Sequence, residues 1–201
     1  KYRVDVARLQ RGYPPIVYGD IVAGGKLRAL FYNLAADGFD FNVFNFQGDL
    51  GRVVENLRRN LSNWHDSKDY VDFPLHEIIS KIAGEDALER AIKQYEIVEL
   101  ESIKDRIIHT CVSTQHADFH GANILLDNTG RTFIIDFADV RIAPCMLDAI
   151  TLELSQIFHP EAKRFGDEIN PHLDSWFDDA ALVRNFPAAD WLMPLRQWGR
   201  G

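Results

Sequence analysis

HADFHGANILLDNTGRTFIIDFAD, residues 116–139, decides how the rest of the chain is read. Two short apolar runs, Ile124 to Leu126 and Phe133 to Ile135, flank the turn-forming Asn128-Thr129-Gly130, which is the pattern of a β-hairpin. If Asp127 faces Thr132 or Arg131, stepping back along both strands sets Asn123 opposite Asp136 or Ile135, with backbones roughly 5 Å apart. An amide oxygen and a carboxylate offered from neighbouring strand ends suit a hard divalent cation such as Mg²⁺, which takes a few protein oxygens and completes its shell with water and phosphate. Asp118, just upstream, overlooks the same spot. The plainer alternative is that Asp118 and Asn123 cap turns and Asp136 ends a strand, since these residue types favour turns.

HADFHGAN resembles the catalytic loop of the protein-kinase-like phosphotransferases, and IIDFAD resembles their metal-binding strand end. The nearer likeness is to the aminoglycoside phosphotransferase and choline-kinase branch, whose loop reads His-Gly-Asp with Asn five residues after the Asp. The resemblance implies that Asp118 orients the acceptor hydroxyl, that His116 braces the loop, and that Asn123 and Asp136 hold metal. Ala117 stands where the family usually has Gly, a departure that bears on the backbone angle of the loop. Asp148 resembles the buried Asp by which the family tethers the loop backbone to a helix; an acid favoured by a helix N-terminus is the other reading.

Composition sets the frame. With 201 residues, 46% of them hydrophobic, the chain can bury a core as one domain or as a domain with a small appendage. No apolar run approaches the roughly 20 residues that span a bilayer, and the polar start at Lys1 does not read as a signal peptide. Cys111 and Cys145 read as buried small hydrophobes rather than a disulfide framework, so a cytoplasmic, soluble protein is expected. A net charge of -8 and a pI near 5.3 argue against a binder dominated by nucleic-acid phosphates. The acids gather in 85–105 and 174–179, where they make a solubilising face or attract a cationic acceptor.

Upstream of the loop, Ile16 to Val22, the Gly24-Gly25 turn and Leu27 to Leu34 read as two strands. The resemblance makes them the last hairpin of a small lobe and 33–36 the hinge, with Asn33 and Ala35 offering backbone groups to the adenine of ATP or GTP. The glycine-rich phosphate loop and strand-borne Lys of a complete member are missing from the short stretch ahead of the hairpin, and Gly24-Gly25-Lys26 lacks the glycine spacing of a phosphate loop. Residues 1–36 are therefore expected to form a partial small lobe and hinge, and 37–201 a large lobe.

In 37–47 four phenylalanines sit in loop-like sequence and are expected to pack against the large lobe. Asp49 reads as an N-cap before a helix whose apolar face is Leu50, Val53, Val54, Leu57, Leu61 and Trp64, with Arg52, Arg58 and Arg59 on the solvated side. Residues 62–73 are polar and aperiodic, 75–83 read as a short helix stopped by Gly84, and 85 to about 107 as a long helix. A short extended run, His109 to Val112, enters the loop. His116, Asp118 and His120 alternate, which also raises a metal-hydrolase reading, but the remaining histidines form no second cluster. A helix is expected from about Met146 to Phe158, then helix fragments on which Trp176, Phe177, Trp191 and Trp198 cap the large lobe or form a partner surface.

The expected class is thus α+β and protein-kinase-like: a mainly helical large lobe with a catalytic-loop hairpin, plus a remnant small-lobe hairpin. The implied reaction moves the γ-phosphate of ATP or GTP to a hydroxyl of a small molecule with Mg²⁺, without nucleic acid or membrane and with further domains or partner chains possible. The alternative is a catalytically inactive regulatory or interaction module of a larger multidomain bacterial protein.

Overall fold

The computed structural model describes residues 18–23, 27–31, 38–39, 41–65, 69–95, 102–103, 106–162, 170–186 and 191–200. Asn33 and Ala35, the expected nucleotide contacts, lie outside the described residues, as does the Gly24-Gly25 turn. Strands β1 (Tyr18–Ala23) and β2 (Leu27–Phe31) pair antiparallel as the hairpin expected there.

Helix α1 (Leu50–His65) buries the six residues its periodicity selects, with Leu57 and Leu61 fully enclosed. Each such side chain contributes about 1.5–3 kcal/mol on leaving water. Asp49 caps it by accepting from the Arg52 amide at 3.0 Å, and Arg52, Arg58 and Arg59 are exposed as expected. Phe44 and Phe46 are buried, and Phe46 joins the main core with α1. What the sequence hid here is a short strand, β3 (Phe41–Asn42), that pairs with Leu125 and Leu126 of the expected hairpin.

Strand β4 (Asp69–Pro74) occupies the stretch read as aperiodic. Helix α2 (Leu75–Ala83) ends at Gly84, whose φ of 87° is open to glycine without strain. Helix α3 (Glu85–Tyr95) opens the stretch read as one long helix, of which 96–101 and 104–105 lie outside the described residues, and by Ile107 the chain has entered strand β5 (Ile107–Gln115). The β-branched run in β5 finds cross-strand partners on β4 (Phe73 to Ile108, Val71 to Thr110), and the extended run expected from His109 to Val112 lies within this strand.

Strands β6 (Ile124–Leu126) and β7 (Thr132–Ile134) form the central hairpin, with Ile124, Leu126 and Ile134 fully buried under α1. Strand β8 (Arg141–Pro144), a third strand the sequence did not announce, pairs with β5 so that Gln115 lies opposite Arg141. The whole site segment therefore leaves and returns at one place. Helix α4 (Leu147–Phe158), a 3₁₀ segment (Asn170–Ser175), α5 (Asp179–Asn185) and α6 (Leu192–Arg200) complete the order. Arg196 clamps α4 to α5 through Glu153 (2.7 Å) and Asp179 (2.6 Å). Trp176, Trp191 and Trp198 are buried caps, but Phe177 is 97% exposed and belongs to no core; Cys111 is half-buried where full burial was expected, while Cys145 is enclosed.

The hairpin turn is locked by Asp127. Its carboxylate accepts from the Thr129 amide (2.9 Å), the Thr129 hydroxyl (2.7 Å), the Arg131 amide (2.9 Å) and the Arg131 Nε. Burial pushes the carboxyl up, but the bonds from Thr129 and Arg131 outweigh it and hold the group well below the usual carboxylate range. A carboxylate with a depressed folded pKa stabilises above its ordinary value of 3.8, and that stabilisation is lost as pH falls below it toward the folded value. Asp127→Asn is expected to cost about 1–3 kcal/mol at pH 7 in urea unfolding, with the gap to the parent narrowing as the pH drops below 3.8. A pH-independent gap would show that the charge is not what holds the turn.

Candidate active site

Beyond Gln115 the chain turns sharply beneath the start of α4. Asp148, fully buried, accepts from the His116 amide through Oδ2 at 2.8 Å and from the Ala117 amide through Oδ1 at 2.9 Å. Gln115 returns a bond, its Oε1 accepting from the Asp148 amide at 3.1 Å. This is the tether for which Asp148 was a candidate. Ala117 sits at φ 64°, so the position does require the left-handed backbone that the usual Gly adopts freely. For Ala that angle costs about 1–2 kcal/mol. It is held by the doubly accepting Asp148 and by the packing of Ala117 with Ile78, Ala143 and Leu147.

The turn releases Asp118 half-exposed, and Asn123 comes back to it. Asn123 Nδ2 donates to the Asp118 carbonyl at 2.8 Å and to the Asp118 Oδ2 at 3.2 Å. With the nitrogen committed, Oδ1 is the Asn123 atom left to face a cation. In register terms Asn123 lies opposite Ile135, whose amide donates to the Asn123 carbonyl at 3.0 Å. Asp136, the next residue, is exposed and also left-handed at φ 58°. His116 links the two ends: its fully buried ring places Nε2 2.9 Å from the Ile135 carbonyl, which makes it a brace between loop and hairpin rather than a metal ligand. Among the described residues no three His, Cys, Asp or Glu side chains gather as a metal site, so the alternating His116, Asp118 and His120 do not form a hydrolase centre.

Two further partners were not visible in the sequence. His120 stacks on His159 (centroids 4.8 Å), and His159 stacks on Phe44 (4.7 Å), walling the loop on the side where His120 Nε2 lies 3.7 Å from Asp118 Oδ2. Burial, then His120, lower the pKa of His159 against the opposing pull of Glu161 and Asp118, favouring a neutral ring in the stack. Gly121 donates to Ser155 Oγ at 3.2 Å, and a Cβ there would meet the Phe44 ring at 2.6 Å. The glycine in the loop and the phenylalanine-rich stretch were the available signals, but only the fold joins them.

A cavity of about 620 Å³ lies behind the loop, between α2 and β8. Asp118, Asn123 and Asp136 do not line it; Ile78, Ala143 and Leu147, which seat Ala117, do.

A family model, that of the phosphotransferase enzyme family (APH), matches residues 47–174, well over half the chain. The chain belongs to the phosphotransferase enzyme family. No curated protein and no solved structure matches it. The matched span runs from before the cap of α1 to the 3₁₀ segment past α4, so it contains the tether, the loop and the hairpin of this phosphotransferase-family chain. Mixed helix and antiparallel sheet are compatible with a kinase-like α+β fold. Among the described residues no helix is long and apolar enough to cross a membrane.

Proposed function

We propose that the chain transfers the γ-phosphate of ATP or GTP to a hydroxyl of a small molecule. Asp118 orients that hydroxyl and draws off its proton, Asn123 Oδ1 and the Asp136 carboxylate are the metal donors, and His116 keeps the two halves of the site in register. Their oxygens fit Mg²⁺ by type, being hard donors few enough to leave room for water and phosphate. When bound, Mg²⁺ would neutralise charge on the phosphate oxygens. In the same reading residues 1–36 are a partial small lobe whose hinge residues Asn33 and Ala35 meet the nucleotide, residues 37–201 are the large lobe, and the protein works in the cytoplasm.

The observation that supports this best is the joint made by Asn123: one side chain grips Asp118 while its backbone pairs with the residue before Asp136. The test is Mg²⁺-dependent loss of labelled γ-phosphate from ATP or GTP, to hydroxylated small molecules including aminoglycosides or slowly to water. Consumption by the parent no faster than by Asp118→Ala would remove the reading.

A further inference from the structure

Three helices send one residue each to the point beneath the catalytic turn: His65 from the last position of α1, Asp148 from the first turn of α4, and Trp198 from α6. Trp198 Nε1 lies 3.1 Å from His65 Nδ1. An indole N–H can only donate, so Nδ1 must accept, and a neutral His65 ring carries its proton on Nε2. That nitrogen has no hydrogen-bond partner within ordinary reach and faces Asp148 Oδ2 at 3.7 Å. Asp148 is wholly out of water, where a carboxylate needs compensating donors. Its two backbone donors are the amides of His116 and Ala117, the residues that set the strained turn.

We propose that His65, fixed in one tautomer by Trp198, is a positioning residue of the catalytic loop. Its Nε2–H acts on Asp148, Asp148 holds the backbone of His116 and Ala117, and that backbone aims Asp118. The same backbone carries the His116 ring that bonds the Ile135 carbonyl, so the relay also reaches the strand end bearing Asp136. On this account α6 belongs to the active-site machinery, although it lies wholly beyond the matched span. The edge-on contact of Trp198 with Phe119 inside the loop (5.9 Å, 89°) couples the two by packing as well. The catalytic part of this inference rests on the proposed phosphoryl transfer; the holding of the loop does not.

The test compares His65→Gln, whose amide still accepts from Trp198 and donates toward Asp148, with His65→Leu, which does neither at similar volume. Two readouts are taken: native-state exchange of the His116 and Ala117 amides relative to those of β5, and Mg²⁺–ATP turnover separated into kcat and nucleotide KM. In Leu the two loop amides are expected to lose protection selectively and kcat to fall roughly 10- to 100-fold at nearly constant KM, with Gln restoring most of both. If Leu does not fold, Trp198→Phe keeps a ring against Phe119 but frees the tautomer; nitrogen-15 spectra of labelled histidine should then show His65 leaving the single Nε2–H form of the parent. Unchanged relative protection in Leu, equal loss in Gln and Leu, or an Nε2–H form that survives Trp198→Phe would each overturn the proposal. A parent that consumes no nucleotide would instead defeat the functional reading, while the exchange comparison would still decide whether His65 holds the loop.

Discussion

Asp118→Ala is expected to lower Mg²⁺-dependent turnover by roughly 10²- to 10⁴-fold, the range a positioned general base contributes. Nucleotide KM should change little, because the carboxylate faces the acceptor rather than the nucleotide in the proposed arrangement. Stability should also change little: Asp118 is half-exposed, and the stronger of its two bonds from Asn123 goes to its backbone carbonyl, which the substitution keeps. A fall in kcat with unchanged melting is thus the signature of the assigned role. Parallel losses of turnover and stability would make Asp118 a structural residue.

Asp148→Asn should have the largest effect on stability. The amide has one accepting oxygen in place of two, so one of the buried His116 and Ala117 N–H groups meets an N–H₂ instead of a carboxylate oxygen. Losing a charge-assisted bond and stranding a buried donor costs about 2–4 kcal/mol. The left-handed Ala117 then has less to hold it, and turnover should fall with stability, unlike in Asp118→Ala. Urea unfolding that shows less than about 1 kcal/mol of loss would mean that packing alone sets the turn.

The parts of the fold that were legible in the sequence are those whose signal is local. Helix α1 announced itself through Leu50, Val53, Val54, Leu57, Leu61 and Trp64 because a single apolar stripe decides it, and Asp49 marked its start. The β6–β7 hairpin was legible from its turn residues, and the register that places Asn123 opposite Ile135 was one of the two pairings that turn allowed. Strands β4 and β8 were not, since what makes them strands is β5. Asp69 to Asp72 lie exposed on the sheet edge with no alternation to read, and Arg141 is extended because Gln115 lies beside it.

Within the site, Asp118, Asn123, Asp136 and His116 could be proposed from spacing and resemblance; the fold bonds Asn123 to Asp118 and pairs the Asn123 backbone with Ile135, the residue before Asp136. Ala117 could be flagged as a departure but not interpreted, because the device that holds its angle is a carboxylate 31 residues away. His159, Phe44, His65 and Trp198 carry no motif at all. Only tertiary packing brings them to the loop.

That Asn123 and Asp136 together hold one Mg²⁺–nucleotide, beside Asp118, is tested most directly by the melting temperature with Mg²⁺ and ATP together. At about 100 times the dissociation constant, binding adds about 2.7 kcal/mol, which for a chain of this size is a rise of roughly 5–10 °C. That rise is expected in the parent and in Asp118→Ala, and its loss in Asp136→Ala and Asn123→Ala. A rise of the same size in Asp136→Ala would contradict it.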